Sequence, residues 1–407
     1  MEIYMVGGAV RDTLLGLPIR DRDWVVTGAT ADEMLALGYQ QVGRDFPVFL
    51  HPKTHEEYAL ARTERKSAPG YTGFVVHAEP DVSLEEDLQR RDLTINAIAQ
   101  ASDGKLIDPF GGVQDVQRCV LRHVSDAFSE DPLRLLRVAR FAARFAALQF
   151  KVADETLQLM RKIVADDEAQ SLVPERVWTE TLRALGERQP ACYFDVLRQC
   201  GALQAIFPEI DRLFGVPQTE KHHPEIDTGV HVMMALERAA ELSTDTRVRF
   251  AVLMHDLGKG ATPEKEWPRH IAHEQRGVAL IERLCQRLRV PKEYRELAIL
   301  AARFHTHCHR AAELKASTLL ETLEKLDAFR RPERFEHFLL VCEADATGRL
   351  GYESAEYPQA ERFRQALEVA RKVDITSIVA EGLQGSVLAE RIHQQRVAAI
   401  SSFHFKG

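Results

Sequence analysis

Val6-Gly7-Gly8-Ala9-Val10-Arg11-Asp12, entered through Ile3-Tyr4-Met5 and followed by Asp21-Arg22-Asp23-Trp24-Val25-Val26, decides how this chain begins to fold. An aromatic and β-branched run that meets two glycines predicts a strand, a tight turn and then a helix continuing to Leu15. The second stretch reads as another strand. Side chains two apart on a strand face the same way, so Asp21 and Asp23 are expected to point at one spot. Paired hard oxygen ligands suit Mg²⁺, and two such ions activate an attacking hydroxyl and neutralise a leaving pyrophosphate. The glycine turn lets backbone N–H groups at Gly8 approach a phosphate, and Arg11 could clamp the same anion. Either motif alone is commonly a solvated turn; together they make a triphosphate–metal site coherent.

Outward from this point, Val48-Phe49-Leu50, Tyr58-Ala59-Leu60-Ala61 and Lys105-Leu106-Ile107 read as further strands, with helical patterns over Ala31 to Leu37 and Leu84 to Leu88. From about residue 113 the chain reads as a row of helices edged by prolines. The expected fold is therefore multidomain α+β: a mixed-sheet head followed by all-α segments. Thr219 to Thr228, rich in His, Pro and acids, is the candidate domain boundary, and Ser401 to Gly407 reads as a loose end.

At 407 residues the chain fits two to three domains. Its 45% apolar and 28% charged residues exclude wholesale disorder. No run approaches the ~20 apolar residues of a membrane helix. Met1-Glu2-Ile3-Tyr4 lacks signal-peptide character, and the six cysteines form no Cys-x-x-Cys pair, so a cytoplasmic protein without membrane contact is expected. The net charge of −8 excludes a coat of positive charge. Even so, residues 132–151 carry Arg134, Arg137, Arg140, Arg144 and Lys151 with no acid, a landing strip for a polyanion.

That strip opens with Glu130-Asp131-Pro132-Leu133-Arg134. Asp131 can cap a helix and Pro132 fits its first turn. The four arginines share one drifting flank, and Leu135, Val138, Ala142 and Phe145 share an adjacent apolar flank that would bury the helix. Upstream stand Glu86-Asp87-Leu88-Gln89-Arg90-Arg91-Asp92 and Asp108-Pro109-Phe110-Gly111-Gly112.

Taken in order across residues 5–145, these motifs closely resemble the class II CCA-adding enzymes, the bacterial tRNA nucleotidyltransferases of the polymerase-β superfamily. The resemblance implies that Asp21 and Asp23 bind the catalytic Mg²⁺, that Gly8 and Arg11 form the triphosphate turn, and that Arg91 contacts the nucleotide. It implies that Asp131 and Arg134 read the Watson–Crick edge of the incoming base, with Arg137 and Arg140 alongside. An acceptor-only carboxylate and a donor-only guanidinium can together select C and A without a template. Arg62 to Tyr71 falls where the family carries the flexible loop used in switching to ATP. Expected partners are CTP, ATP and tRNA, gripped at its acceptor arm and 3′ end, by a monomer or weak homodimer.

Beyond the boundary come His231 and Leu253-Met254-His255-Asp256-Leu257-Gly258-Lys259. An adjacent His-Asp, read as lying inside an apolar helix, suits a transition-type ion such as Ni²⁺, Mn²⁺ or Co²⁺. With Asp345 as the distant fourth ligand, the set resembles the HD phosphohydrolase superfamily, whose two-metal members carry extra histidines roughly where His273 and His305 stand. This resemblance implies 2′,3′-cyclic phosphodiesterase, phosphatase and 2′-nucleotidase activities in tRNA 3′-end repair. His222, His223, His307 and His309 are expected at the surface. The resulting division is a head (1–139), a helical neck and body (140–222), an HD domain (228–350) and a helical tail (351–407). The rival readings are a bacterial poly(A) polymerase and an RNA-binding platform carrying only an active HD hydrolase.

Overall fold

The computed structural model describes residues 1–19, 21–42, 48–66, 74–221 and 223–405. The chain forms two compact units, residues 1–184 with 192–206 and residues 185–191 with 207–407.

The first unit opens with β1 (Glu2–Val6), α1 (Gly8–Leu14), β2 (Asp23–Thr27), α2 (Ala31–Ala36), β3 (Gln40–Val42), β4 (Val48–Leu50) and β5 (Glu57–Leu60). The pair β6 (Thr63–Lys66) and β7 (Phe74–His77) follows, then α3 (Leu84–Gln89), β8 (Ala99–Gln100), β9 (Leu106–Ile107) and α4 (Gly112–Arg118). The seven-stranded sheet runs β3-β4-β5-β2-β1-β8-β9, antiparallel except where β2 lies parallel to β5. Val25 joins a cluster with Val6, Leu88 and Ala99, while its neighbour Val26 joins Met34, Phe49 and Leu60. Adjacent strand residues face opposite sides, so the sheet is buried on both faces and β2 reads as a continuous apolar run.

Local chemistry fixes the helix starts. Thr30 with Glu33 and Ser83 with Glu86 each form reciprocal caps at α2 and α3. Asp108 accepts the N–H groups of Gly112 and Val113, so its Asp-Pro-Phe-Gly-Gly motif is the N-terminal cap of α4. The strands β3 and β8 carry no β-branched alternation and escape a reading by pattern. The expected flexible loop overlaps β6, and its part from Ser67 to Tyr71 lies outside the described residues.

The unit continues through β10 (Val120–Leu121), α5 (Leu133–Phe145), β11 (Lys151–Val152), α6 (Asp154–Ala165), α7 (Pro174–Leu185), α8 (Ala191–Gln199) and α9 (Ala202–Ile206), with β10 and β11 paired in parallel. On α5 the expected apolar flank Leu135, Val138, Ala142 and Phe145 is buried.

The second unit is built of helices: α10 (Pro208–Asp211), α11 (Thr228–Leu242), α12 (Thr246–Met254), α13 (His273–Arg287), α14 (Lys292–His309), α15 (Ala316–Lys325), α16 (Pro332–Thr347), α17 (Pro358–Arg371), α18 (Ile375–Ala380) and α19 (Gly385–Ser402). Helices α11, α12, α14 and α16 pack around one another, with α13 against α14. The buried guanidinium of Arg249 on α12 gathers the carbonyls of Ala240, Ser243, Leu185 and Glu187. Between α10 and α11, Pro217 bridges Asp227 in antiparallel fashion and the Gln218 N–H donates to Ile226 O at 2.7 Å, so the segment read as a boundary closes into a loop within this unit.

Two candidate active sites

The register of β1 on β2 sets Asp23 opposite Val6, at the end of β1 where the Gly7-Gly8 turn begins. Gly7 has φ +66°, and a Cβ there would lie 2.9 Å from Nη1 of Arg91. The turn therefore favours glycine for its backbone, and a methyl there would push the end of Arg91 aside. β2 starts at Asp23, so Asp21 precedes the strand and the alternation argument does not itself place it. What joins the two is electrostatic. Burial first, then the charge of Asp21, raises the Asp23 carboxyl above its ordinary range, against the pull of Arg91. Both aspartates are exposed, and no side-chain hydrogen bond ties either to a described residue. Two such carboxylates, repelling one another beside a glycine turn, are a donor set that fits Mg²⁺.

Arg91 donates to Asp87 Oδ2 at 3.1 Å and lies 3.4 Å from the carbonyl of Asn96. Arg11 does not stand open to a ligand, unlike the expected clamp. It is 3% exposed, its Nε donates to Asp12 at 2.8 Å and its Nη1 to Asn96, and it lies over Phe141 and Phe145. Its donors are turned to structure, which makes it a brace for the helix carrying the turn.

Helix α5 places the arginine row. Pro132 holds the cap position of α5, so Asp131 stands one residue before the expected cap; it accepts the Leu133 N–H at 3.0 Å, and Arg176 at 3.1 Å through its other oxygen. Arg134 is held against the carbonyls of Ala127 and Arg90. Arg137 meets Asp92 at 2.7 Å, Arg140 meets Glu180 at 2.6 Å, and Arg144 meets Asp12 at 2.8 Å. The basic face is thus not a bare strip: buried acids answer it, and Arg144 locks α5 onto α1. Asp92 is held well below the usual carboxylate range, because Arg137, Asn96 and Arg134 overcome the burial that alone would raise it. These acids stand far off in sequence, where spacing gives no signal.

In the second unit, His231 (α11), His255 and Asp256 (just beyond α12), His273 (first residue of α13), His305 and His309 (α14) and Asp345 (α16) converge. His231 Nε2 lies 3.1 Å from Asp345 Oδ1. His255 Nε2 lies 3.2 Å from Asp256 and 3.5 Å from Asp345. His273 and His305 point their Nε2 atoms at Asp256 Oδ1 from 3.5 and 3.7 Å. The three rings His255, His273 and His305 turn Nδ1 to the carbonyls of Val252, His270 and Ala301. A proton held there leaves Nε2 as a lone pair facing the carboxylates, the arrangement a metal ligand requires. Three atoms at this focus, His255 Nε2, Asp256 Oδ1 and His273 Nε2, are buried without a hydrogen-bond partner. Buried polar atoms are nearly always paired, so the donor set fits a divalent cation.

The charges agree. Burial alone would lower His255, but Asp256 and Asp345 hold it up to about 9, while burial takes His305 well below its ordinary value. Asp256 and Asp345 are both far below theirs: burial opposes this, and Lys259 and His255 overcome it at Asp256, as His255, His309 and Arg349 do at Asp345. Lys259 Nζ reaches Asp256 at 2.6 Å, and Arg349 reaches Asp345 at 3.2 Å. Gly258 is required here, since a Cβ would lie 1.8 Å from the carbonyl of His273.

All four expected ligands therefore meet, and so do His273 and His305. Three readings change. α12 ends at Met254, so His255 and Asp256 lie just past its C-terminus, where a broken helix turns both side chains inward. His309 is a member of the cluster, 2.6 Å from Asp345 with its Nδ1 on Tyr357. Its i,i+4 spacing from His305 on one helix was the available signal. His223 is half-buried and bonded to Glu225, and His307 is half-buried as well; His222 lies outside the described residues. Gln218 and Glu225, which the loop brings to the site, carried no sequence signal.

Comparison with known proteins gives three family matches: the poly A polymerase head domain over residues 3–122, the probable RNA and SrmB-binding site of polymerase A over 149–214, and the HD domain over 228–347. A relative from Thioalkalivibrio sulfidiphilus, called a multifunctional CCA protein, is 64% identical over 400 residues, covering 98% of each chain. The fold is that of the Thermotoga maritima CCA-adding enzyme complexed with tRNA(CCA), at TM-score 0.65, 18% identity and coverage of 100% of this chain and 88% of that one. It is also that of the Bacillus stearothermophilus CCA-adding enzyme in complex with CTP, at TM-score 0.64, 22% identity and coverage of 98% and 88%.

Proposed function

The chain belongs to the family of multifunctional CCA proteins, and from that premise we propose that it adds C, C and A to the 3′ end of tRNA from CTP and ATP, releasing pyrophosphate. The observation that carries this reading is the β1–β2 register, which sets Asp23 beside the glycine turn with Asp21 and Arg91 in the same field.

Asp21 and Asp23 would hold Mg²⁺. When bound, the ion lowers the pKa of the attacking 3′-hydroxyl and neutralises charge on the leaving pyrophosphate. The backbone at Gly8 receives the triphosphate, and Arg91, poised over Gly7, contacts the nucleotide. Arg11 braces the turn from beneath. Asp131 keeps acceptor capacity beyond its two bonds, since a carboxylate has about four lone-pair sites. Arg134 is fixed in plane by two carbonyls, and the pair reads the base edge. Arg137 and Arg140, held by Asp92 and Glu180, set the wall beside it. In this reading the head spans 1–139, the neck and body that grip the acceptor arm 140–222, the HD domain 228–350 and the tail 351–407.

The second site we assign to metal-dependent hydrolysis of phosphate esters at damaged tRNA ends: 2′,3′-cyclic phosphodiester, phosphomonoester and 2′-nucleotide. His231, His255, Asp256 and Asp345 would hold Ni²⁺, Mn²⁺ or Co²⁺, which supplies a Lewis acid and acidifies a water. Lys259 and Arg349 put positive charge beside the ligands, where a phosphate would sit. The working place is the cytoplasm. No helix among the described residues is long and apolar enough to cross a membrane.

The test is incorporation of labelled CTP and ATP into tRNA lacking its terminus. Two C and one A on the wild type, and none with Asp21→Ala, is the expected result. The head's likeness to poly A polymerase keeps one rival open, and long A-tracts on generic RNA would establish it instead. Hydrolysis of a cyclic-phosphate end, lost in His255→Ala, tests the second site. If that is the only activity, the platform-plus-hydrolase reading stands.

A further inference from the structure

Among the groups around the second site, one buried acid is neither an expected ligand nor a phosphate neighbour. Glu225 sits on the loop closed by the Pro217–Asp227 bridge, and its side chain is 3% exposed. Its Oε1 lies 3.0 Å from His231 Nδ1 and 3.0 Å from His223 Nδ1. The His223 and His231 rings meet edge to face, with centroids 4.6 Å apart. His231 is thus held from both sides: Nε2 faces Asp345, and Nδ1 faces Glu225.

Three other inward-facing rings, His255, His273 and His305, take a backbone carbonyl at Nδ1, and His309 takes the Tyr357 hydroxyl there. At His231 that atom instead faces the Glu225 carboxylate at 3.0 Å, closer than Glu274 stands to His273 Nδ1 at 3.6 Å, and it lacks a well-aligned partner. Glu225 Oε2 is likewise buried without one. A carboxylate at Nδ1 fixes the proton on that nitrogen, leaves Nε2 as a lone pair, and makes the ring more basic toward a cation. The same loop sends Gln218 to Lys259, so it reaches the site at two points.

We propose that Glu225, carried in by the 217–227 loop and buttressed by His223, is a positioning residue that sets the tautomer and orientation of His231 for a divalent cation. The inference rests on the reading of His231, His255, Asp256 and Asp345 as a metal site. It makes the loop before α11 part of the metal centre, not a passive connection.

The experiment is titration of Ni²⁺, and separately Mn²⁺, into full-length chelator-stripped protein by calorimetry, for wild type, Glu225→Ala and Glu225→Gln. Loss of such a partner typically weakens binding about 10–100-fold. Glu225→Ala should show that loss. Glu225→Gln, whose amide oxygen can accept the same N–H, should bind within a few-fold of wild type. Melting of each stripped variant provides the folding control. If Glu225→Ala fails to fold, rescue in Glu225→Gln is judged against Glu225→Leu, a like-sized side chain without an acceptor. Equal affinity in wild type and Glu225→Ala overturns the proposal, as does equal weakening in the Gln and Ala or Leu variants. A wild type that binds neither metal overturns the metal-site reading itself, and the proposal with it.

Discussion

Nε of Arg137 lies 2.7 Å from Oδ2 of Asp92, a contact that ties the arginine helix to the Arg90-Arg91-Asp92 segment across 45 residues of chain. Asp92 also accepts the N–H of Leu93 and the amide of Asn96, and Asn96 in turn receives Arg11. One carboxylate therefore organises both the arginine row and the floor beneath the glycine turn.

Asp92→Asn removes that organiser. Breaking a buried ion pair costs about 3–5 kcal/mol; with Arg137 one-third exposed, the low end applies, roughly 3 kcal/mol. For a unit of this size, melting of the head should fall by roughly 6–12 °C at pH 7. The folded carboxyl is depressed, so its contribution is complete above the unfolded value of about 3.9 and is lost as pH falls below it. The gap between wild type and variant should stay constant from pH 8 to 6 and narrow below pH 4. A gap that widens in acid would contradict the ion pair.

Asp23→Ala tests chemistry against folding. Asp23 is exposed as a residue, its carboxyl is partly desolvated and repelled by Asp21 against the pull of Arg91, and no hydrogen bond to a described residue depends on it. Melting should stay within about 0.5 kcal/mol of wild type. CTP incorporation into truncated tRNA should fall by about 10³-fold, the scale of losing a preorganised electrostatic element. Retained incorporation would remove these carboxylates from the mechanism.

Metal removal should separate the two sites of buried and exposed acids. Stripping with a chelator is expected to abolish cyclic-phosphate hydrolysis. Ni²⁺, Mn²⁺ or Co²⁺ should restore it in the wild type but not in His255→Ala. At a hundred times the dissociation constant, bound metal adds about 2.7 kcal/mol, so the second unit should melt measurably higher when loaded. Unchanged melting on loading would mean that the orphaned His255 Nε2, Asp256 Oδ1 and His273 Nε2 are not ligands.

Gly258→Ala probes the turn that holds the site together. The new methyl would meet the His273 carbonyl at 1.8 Å, and backbone cannot yield as a side chain can. We expect about 3 kcal/mol of destabilisation and weaker metal binding, because α13 must retreat and take His273 with it. Calorimetry and melting of the one variant check both. Wild-type affinity would show that His273 does not sense the turn.

The glycine turn, Asp23 at the head of its strand, the apolar flank of α5 and the adjacent His255-Asp256 pair were legible because each depends on local rules, whereas His231 and Asp345 were placed by the HD resemblance. Glycine spacing marks a turn, alternation marks a buried strand, and an adjacent His-Asp pair is rare enough to stand out. Three-dimensional packing decided the rest. Arg11 is a bidentate clamp by composition and a buried brace by position, because Asp12 and Asn96 reach it first. The basic strip of α5 is neutralised by Asp92, Glu180 and Asp12, which come from as far away as 132 residues. His309 and His223 read as surface residues until α14 and the 217–227 loop bring them to Asp345 and Glu225.

By itself the sequence determined the fold class, through residue type and short-range period, and the family, through the resemblance of its ordered motifs. Only the tertiary structure decided which charges face one another. A side chain's pKa, its open donors and its reach to a ligand are set by neighbours in space, and burial makes those neighbours dominate.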